Sequence, residues 1–119
     1  MASPEALQIG RIVWAEVADP NGIRKQRPAI IVSSTADADT SGTLKIVAIT
    51  SRVPETLPDD HVLLPWHPQG HPRTGLNRRS AAVCSWLSKI AVSDILDVSG
   101  MVPGEKLLAI LTKINVNQQ

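Results

Sequence analysis

The 119-residue chain contains no phenylalanine and no tyrosine, and three tryptophans are its only aromatic rings. A core built without Phe or Tyr must be filled by Ile, Leu, Val and Ala. RNA readers of the RRM type, which stack bases on several aromatic side chains of adjacent strands, are excluded by the same shortage. Cysteine is nearly as scarce: Cys84 stands alone, so neither an internal disulfide nor a Cys-rich zinc site can form. Small secreted domains are usually stapled by disulfides, which makes a reducing compartment the expectation. The first eight residues, Met1-Ala-Ser-Pro-Glu-Ala-Leu-Gln, lack both the basic and the apolar segment of a signal peptide. No apolar run approaches the roughly 20 residues of a membrane helix. A cytoplasmic protein with no membrane association is expected. The length suits one domain spanning residues 1–119, with residues 1–8 read as a flexible extension. A hydrophobic content of 43% is that of an ordinary folded domain.

Acidic residues are absent from a long central block. Between His61 and Ser93 there is no Asp or Glu, while Arg73, Arg78, Arg79 and Lys89 are present. All three histidines, His61, His67 and His71, fall in that block, and a second basic cluster, Arg24-Lys25-Gln26-Arg27, lies upstream. The formal net charge is only +1. Local positive charge in a globally neutral chain points to a defined anionic ligand rather than to bulk coating of nucleic acid.

Hydrophobic patterning outlines short strands and one helix. Gly10–Val17 alternates partly and ends at Asp19-Pro20-Asn21-Gly22, predicting a strand and a turn. Pro28–Ser34 is a nearly continuous apolar run, as expected of a strand buried on both faces. Thr35–Thr43 is polar and predicts a loop; Leu44–Thr50 predicts a third strand, His61–Leu64 a short fourth and Ala81–Trp86 a fifth, continued by Lys89–Val92 after a kink. From Pro103 to Asn115 the period changes: Leu107, Leu108, Leu111 and Ile114 share one helical face. With no βαβ rhythm, the expectation is a mainly β domain, a small bent sheet or barrel closed by a C-terminal helix.

One stretch carries chemistry. In Gly22-Ile-Arg-Lys-Gln-Arg-Pro-Ala-Ile-Ile-Val-Ser-Ser a basic loop is read as feeding an apolar strand, with Arg27 held at its mouth by rigid Pro28. Arginine there offers a planar fork of donors suited to phosphate; the simpler alternative is a surface arginine at a strand end. Taken with Gly10-Arg-Ile-Val-Trp14, Pro20, Gly22, Ile49-Thr50-Ser51, Thr74-Gly75-Leu76 and Ser80, this stretch resembles the MazF/PemK toxins of bacterial toxin–antitoxin systems. The motifs run in order over roughly Ile9 to Ile114. The resemblance implies an SH3-like β-barrel of about five to seven short strands with a C-terminal α-helix, and a homodimer. It further implies a cofactor-free, metal-independent and sequence-specific endoribonuclease that cuts single-stranded RNA, and a cognate antitoxin partner. The chemistry it implies is attack of the ribose 2′-OH on the adjacent phosphate, leaving a 2′,3′-cyclic phosphate and a 5′-OH. Carried over by motif, Arg27 would grip the scissile phosphate, and Thr50 and Ser51 would donate hydroxyl hydrogen bonds to it.

The chain also departs from that pattern. Arg24-Lys25-Gln26 stands where many members carry an acidic residue, and Ser85-Trp86 where many carry Asp-Gln. Ser85 cannot supply a carboxylate, which implies altered base preference, a rearranged site or a weakened enzyme. Arg27 stays protonated and is no resting base; a histidine could substitute, His61 at the start of the fourth strand first among them. A metal bound by His67 and His71 is disfavoured, because Pro68 prevents the helix that would bring the rings together. Arg24, Lys25, Arg73, Arg78, Arg79 and Ser85 complete the expected RNA-binding set, and Trp66, in a polar Pro-rich loop, is the expected stacking ring. Trp14 is read as core or dimer interface and Cys84 as a small buried hydrophobe. The competing readings are a non-catalytic module on the same barrel, binding RNA or poisoning gyrase as CcdB-type toxins do, and a weakened toxin that still binds antitoxin.

Overall fold

The computed structural model describes residues 8–19, 21–33 and 42–117, with side chains as far as residue 114. Most of the expected N-terminal extension, Pro20 of the first turn and most of the 35–43 loop lie outside those residues. Six strands form one antiparallel sheet: β1 (Arg11–Ala18), β2 (Arg24–Ile31), β3 (Thr43–Thr50), β4 (His61–Leu64), β5 (Ser80–Ala91) and β6 (Ile95–Met101), followed by helix α1 (Gly104–Asn117). Their order across the sheet is β4-β5-β3-β2-β1-β6.

The sheet buries both faces at its centre, which is why Ala29–Ile31 of β2 and Ile46–Ile49 of β3 read as unbroken apolar runs. Ile12, Ile30, Val47, Ile49 and Cys84 pack under α1, around Ile110 and Ile114. Val13, Ala29, Ile31, Leu44 and Ile46 fill the opposite face, with Ile90 of β5 and half-buried Ile95 and Val98 folded over them. Aliphatic side chains thus replace the missing Phe and Tyr throughout. Burial pushes the Cys84 thiol up to about 11, so the native protein should resist iodoacetamide at neutral pH. Mass spectrometry should find Cys84 alkylated only after denaturation.

Four expectations are corrected. Residues 24–27 are not a loop: they belong to β2, paired with β1 from Ala18–Arg24 to Ala15–Arg27. The strand β6 was not anticipated; its half-exposed sequence, Ile-Leu-Asp-Val-Ser-Gly-Met, follows no alternation. Along α1 the buried positions are Ile110 and Ile114, with Leu107 and Leu111 packed beside them, whereas Leu108 is 68% exposed. The kink expected after Trp86 is not there: β5 pairs regularly with β3 through Leu87 and Ser88. Its irregularity comes earlier, between Ala82 and Leu87, where Val47 pairs with Leu87 but Ile49 pairs with Ala82.

The outer strands β4 and β6 do not pair with each other. The β4–β5 connection bridges them: Met101 donates its N–H to Arg73 O at 2.8 Å, and buried Thr74 donates its hydroxyl to Pro65 O at 2.8 Å. A Cβ on Gly100 would stand 2.3 Å from Thr74 O, so the two backbones touch where the connection crosses β6. Gly75, at φ +74°, supplies the left-handed turn that brings the connection down onto Ser99.

Candidate functional site

Where β2 and β3 part, the sheet leaves a cleft of about 730 Å³. Val32 donates its N–H to Lys45 O at 2.9 Å, so every second residue of β2 aims its N–H at β3. Pro28 belongs to that set and has no N–H to give. Pairing between the two strands runs from Ile31–Ile46 to Ala29–Ala48 and stops. The same register, continued two places, sets Arg27 across from Thr50, and both line the cleft.

The Arg27 guanidinium lies over the Trp86 ring, 4.9 Å from its centroid. Its Nη2 is 3.8 Å from Asp19 Oδ2, and its side chain is only 24% exposed. Its Nε is buried with no hydrogen-bond partner. A donor left unmet in this way costs about 1–3 kcal/mol, so Arg27 is held ready for an acceptor that the protein does not itself provide. Asp19 is occupied elsewhere too: its Oδ1 accepts the N–H of Asn21 and of Ile23, each at 2.9 Å, and so caps the β1–β2 turn. Thr50 Oγ1 accepts the Arg52 N–H at 3.1 Å, which leaves its hydroxyl hydrogen free to donate. Lys25, Arg52 and Arg78 join Arg27 around the cleft, against Asp19 as the single carboxylate among the described residues. The local field favours an anion.

Of the residues singled out in the sequence, Lys25, Arg27, Thr50, Ser51 and Arg78 meet in this cleft. The others do not line it. Arg24 is 3.7 Å from both Glu16 and Asp94. Arg79 reaches back to the carbonyls of Val53 and Pro54, at 3.1 and 3.4 Å, and so clasps the segment that follows Thr50 and Ser51. His67 Nδ1 accepts the Gln69 N–H at 3.1 Å, and His71 Nδ1 accepts those of Arg73 and Thr74 at 3.1 and 3.3 Å. Both rings brace the β4–β5 connection. Trp66 is 41% exposed but outside the cleft, whereas Trp14, expected in a core or interface, is equally exposed and lines it. Among the described residues no three His, Cys, Asp or Glu side chains come together as a metal site.

His61 and Ser85 meet away from the cleft, on Asp60. Ser85 Oγ donates to Asp60 Oδ2, and His61 Nδ1 lies 2.7 Å from Asp60 Oδ1. The Ser85 hydrogen bond, reinforced by His61, holds the Asp60 carboxyl below its ordinary value despite partial desolvation. A carboxyl depressed in the folded state stabilises it above the unfolded value, near 3.9, and that contribution is lost as pH falls through the folded value. Ser85→Ala should therefore lower Tm at pH 7 by about 4 °C, with the difference shrinking below pH 4. A melting-temperature series across pH 2–7 checks it; a constant difference would mean that Asp60 is not involved.

Sequence reasoning missed Trp14, Asp19, Arg52 and Trp86 as cleft residues. Two of them were within reach of it. Trp14 pairs with Pro28 across β1 and β2, and Arg52 follows the Thr-Ser step. Trp86 could not be placed, because the bulge in β5 decides which way it faces.

A curled antiparallel sheet with one C-terminal helix and a cationic cleft at its parted strands defines a small, roughly barrel-like β protein of the SH3-like kind. The family model of the PemK-like, MazF-like toxins of type II toxin–antitoxin systems matches residues 8–117, and the chain belongs to this family. Its fold is similar to that of MazF from Deinococcus radiodurans, with a TM-score of 0.73 and 20% identity, covering 92% of this chain and 93% of that one. An endoribonuclease in complex with its cognate antitoxin, from a mycobacterial species, is similar at a TM-score of 0.68 and 16% identity, with 93% of each chain covered. The Mycobacterium tuberculosis toxin MazF-mt6 gives a TM-score of 0.68 at 19% identity, covering 91% of this chain and 95% of that one. No curated protein matches the chain in sequence.

Proposed function

We propose that this toxin is a sequence-specific endoribonuclease that cuts single-stranded RNA in the cytoplasm. It works as a homodimer and is held in check by a cognate antitoxin. The observation that carries the reading is the unmatched Arg27 Nε in a cationic cleft, with Thr50 across from it. A phosphodiester seated there takes the Arg27 fork on its non-bridging oxygens and the hydroxyls of Thr50 and Ser51 beside it. These donors stabilise the charge that builds up as the ribose 2′-oxygen attacks phosphorus. The P–O5′ bond breaks, the 2′-OH proton is lost, the leaving oxygen gains one, and the products end in 2′,3′-cyclic phosphate and 5′-OH. Among the described residues, four cationic side chains against one carboxylate suit a reaction run on the protein's own charges, without a metal ion. Lys25 and Arg78 hold flanking phosphates, and Trp14 offers a face to an unstacked base.

The experiment is incubation of mixed-sequence RNA with the purified protein and a metal chelator, followed by sequencing of the RNA ends. Cleavage at a short recurrent sequence with cyclic-phosphate ends is expected; intact RNA overturns the reading. Base stacking on tryptophan contributes about 1–3 kcal/mol, so Trp14→Ala should raise KM about tenfold with kcat little changed. A fall confined to kcat would remove Trp14 from binding. A second reading, RNA binding without cleavage, is favoured by one observation: among the described residues no histidine lines the cleft, and its one carboxylate, Asp19, already accepts two backbone N–H groups. Tight RNA binding with no product would establish it.

A further inference from the structure

We infer that Trp86 is a positioning residue for Arg27: the indole, pinned to the end of β1, is the platform on which the guanidinium is held in the cleft. Three independent contacts make the arrangement. The Arg27 guanidinium carbon sits 4.9 Å from the Trp86 ring centroid, within the range at which a cation is drawn to an indole face. The Trp86 Nε1–H donates to Ala18 O at 3.0 Å, so the ring cannot rotate away without losing a bond to the backbone. Asp19, the next residue along, holds the outer edge of the same guanidinium at 3.8 Å. Strands β1, β2 and β5 thereby lock one side chain between them.

This clamp answers a problem set by the chain itself. Arg27 Nε is buried without an acceptor, and an unsatisfied arginine would otherwise swing toward solvent or close onto Asp19. At 3.8 Å the Asp19 contact lies outside hydrogen-bond range; it attracts without capturing. A ring face attracts the cation while using none of its N–H donors. The fork therefore stays charged, oriented and unspent until an anion enters. The bulge in β5 between the residues paired with Val47 and Ile49 directs Trp86 into the cleft while its neighbour Ser85 turns to Asp60. The role of the bulge is to aim one ring.

The inference rests on the reading of Arg27 as the phosphate-gripping group, and the two can fail separately. Arginine side-chain NMR of the free protein tests the clamp without any RNA. The Arg27 Nε–H resonance, assigned by its loss in Arg27→Lys, should lie upfield from ring current in wild type and return to the ordinary arginine position in Trp86→Ala. On RNA that the wild type cleaves, Trp86→Ala should lower kcat about tenfold with KM changed less than about twofold. Trp86→Phe, which keeps a ring face and loses only the bond to Ala18 O, should recover most of the rate. An unshifted Arg27 resonance in wild type overturns the clamp, as does a Phe variant that folds but is no better than Ala. Should Trp86→Ala fail to fold, the wild-type resonance and the Phe variant still decide. A shifted resonance in a protein that cuts no RNA would retain the clamp and sink the nuclease reading instead.

Discussion

Arg27→Ala is expected to reduce RNA cleavage about 10³-fold, the equivalent of about 4 kcal/mol of transition-state stabilisation. The size of the effect reflects what the side chain offers. Its donors form a fixed planar fork, and one of them, Nε, has no partner inside the protein. Truncation removes that fork from the phosphate while relieving the protein of an unmet buried donor. Stability should therefore hold or rise as activity falls, the usual trade at a site built for a ligand. Thermal melting alongside a cleavage assay separates the two effects. Arg27→Lys sharpens the test, because it keeps the charge but loses the bidentate geometry; about a 10²-fold loss is expected. Equal cleavage by wild type and Arg27→Ala would remove Arg27 from the mechanism.

Gly100→Ala should destabilise the fold by about 3 kcal/mol or more, or roughly 10–15 °C in Tm. The added methyl would meet Thr74 O at 2.3 Å, Thr74 C at 2.5 Å and Arg73 O at 2.6 Å. All three are backbone atoms, so no side chain can rotate to make room. The strand β6 or the 73–75 segment must move, and with it the Met101–Arg73 hydrogen bond that links them. Gly104→Ala is the matched control: a Cβ there meets nothing within 4 Å, and alanine in the first turn of α1 should leave Tm unchanged or slightly raised. Differential scanning calorimetry on the pair checks the prediction. Equal melting of the two variants would show that the contact at Gly100 relaxes at no cost.

Most of the fold is legible in the sequence, and the failures have physical reasons. Runs such as Ala29-Ile30-Ile31 and Ile46-Val47-Ala48 announce strands because both faces of the sheet are buried there. Residues 24–27 defeat the same logic: they are polar and mostly exposed, yet pairing with β1 keeps them extended. Strand β6 fails for a related reason, since its half-buried Ile95 and Val98 make no alternating pattern and pairing with β1 and the Thr74 contact at Gly100 fix its place. In the helix, Leu107 and Leu108 are indistinguishable by type, and only the direction of approach to the sheet decides that Leu108 is the one left outside. The site divides along the same line. Arg27, Thr50 and Ser51 could be named from local motifs, whereas Trp86 enters the cleft from the irregular stretch of β5, which no local motif marks. His61 and Ser85, chosen for their chemistry, turned out to be partners of Asp60, a residue whose own chemistry had drawn no notice.

Pro28 also bears on how freely this cleft can change. Within a ladder paired on both sides, a slip of one residue turns every side chain to the wrong face, so the sequence there is tightly constrained. The β2–β3 ladder ends at Ala29–Ala48, and two residues that line the cleft beyond it, Lys25 on one strand and Arg52 past the other, are not held in a ladder on both sides. Substitutions among them can alter what is recognised without moving the register of the sheet. One absent N–H thus divides the molecule into a part that must be preserved and a part that can diverge.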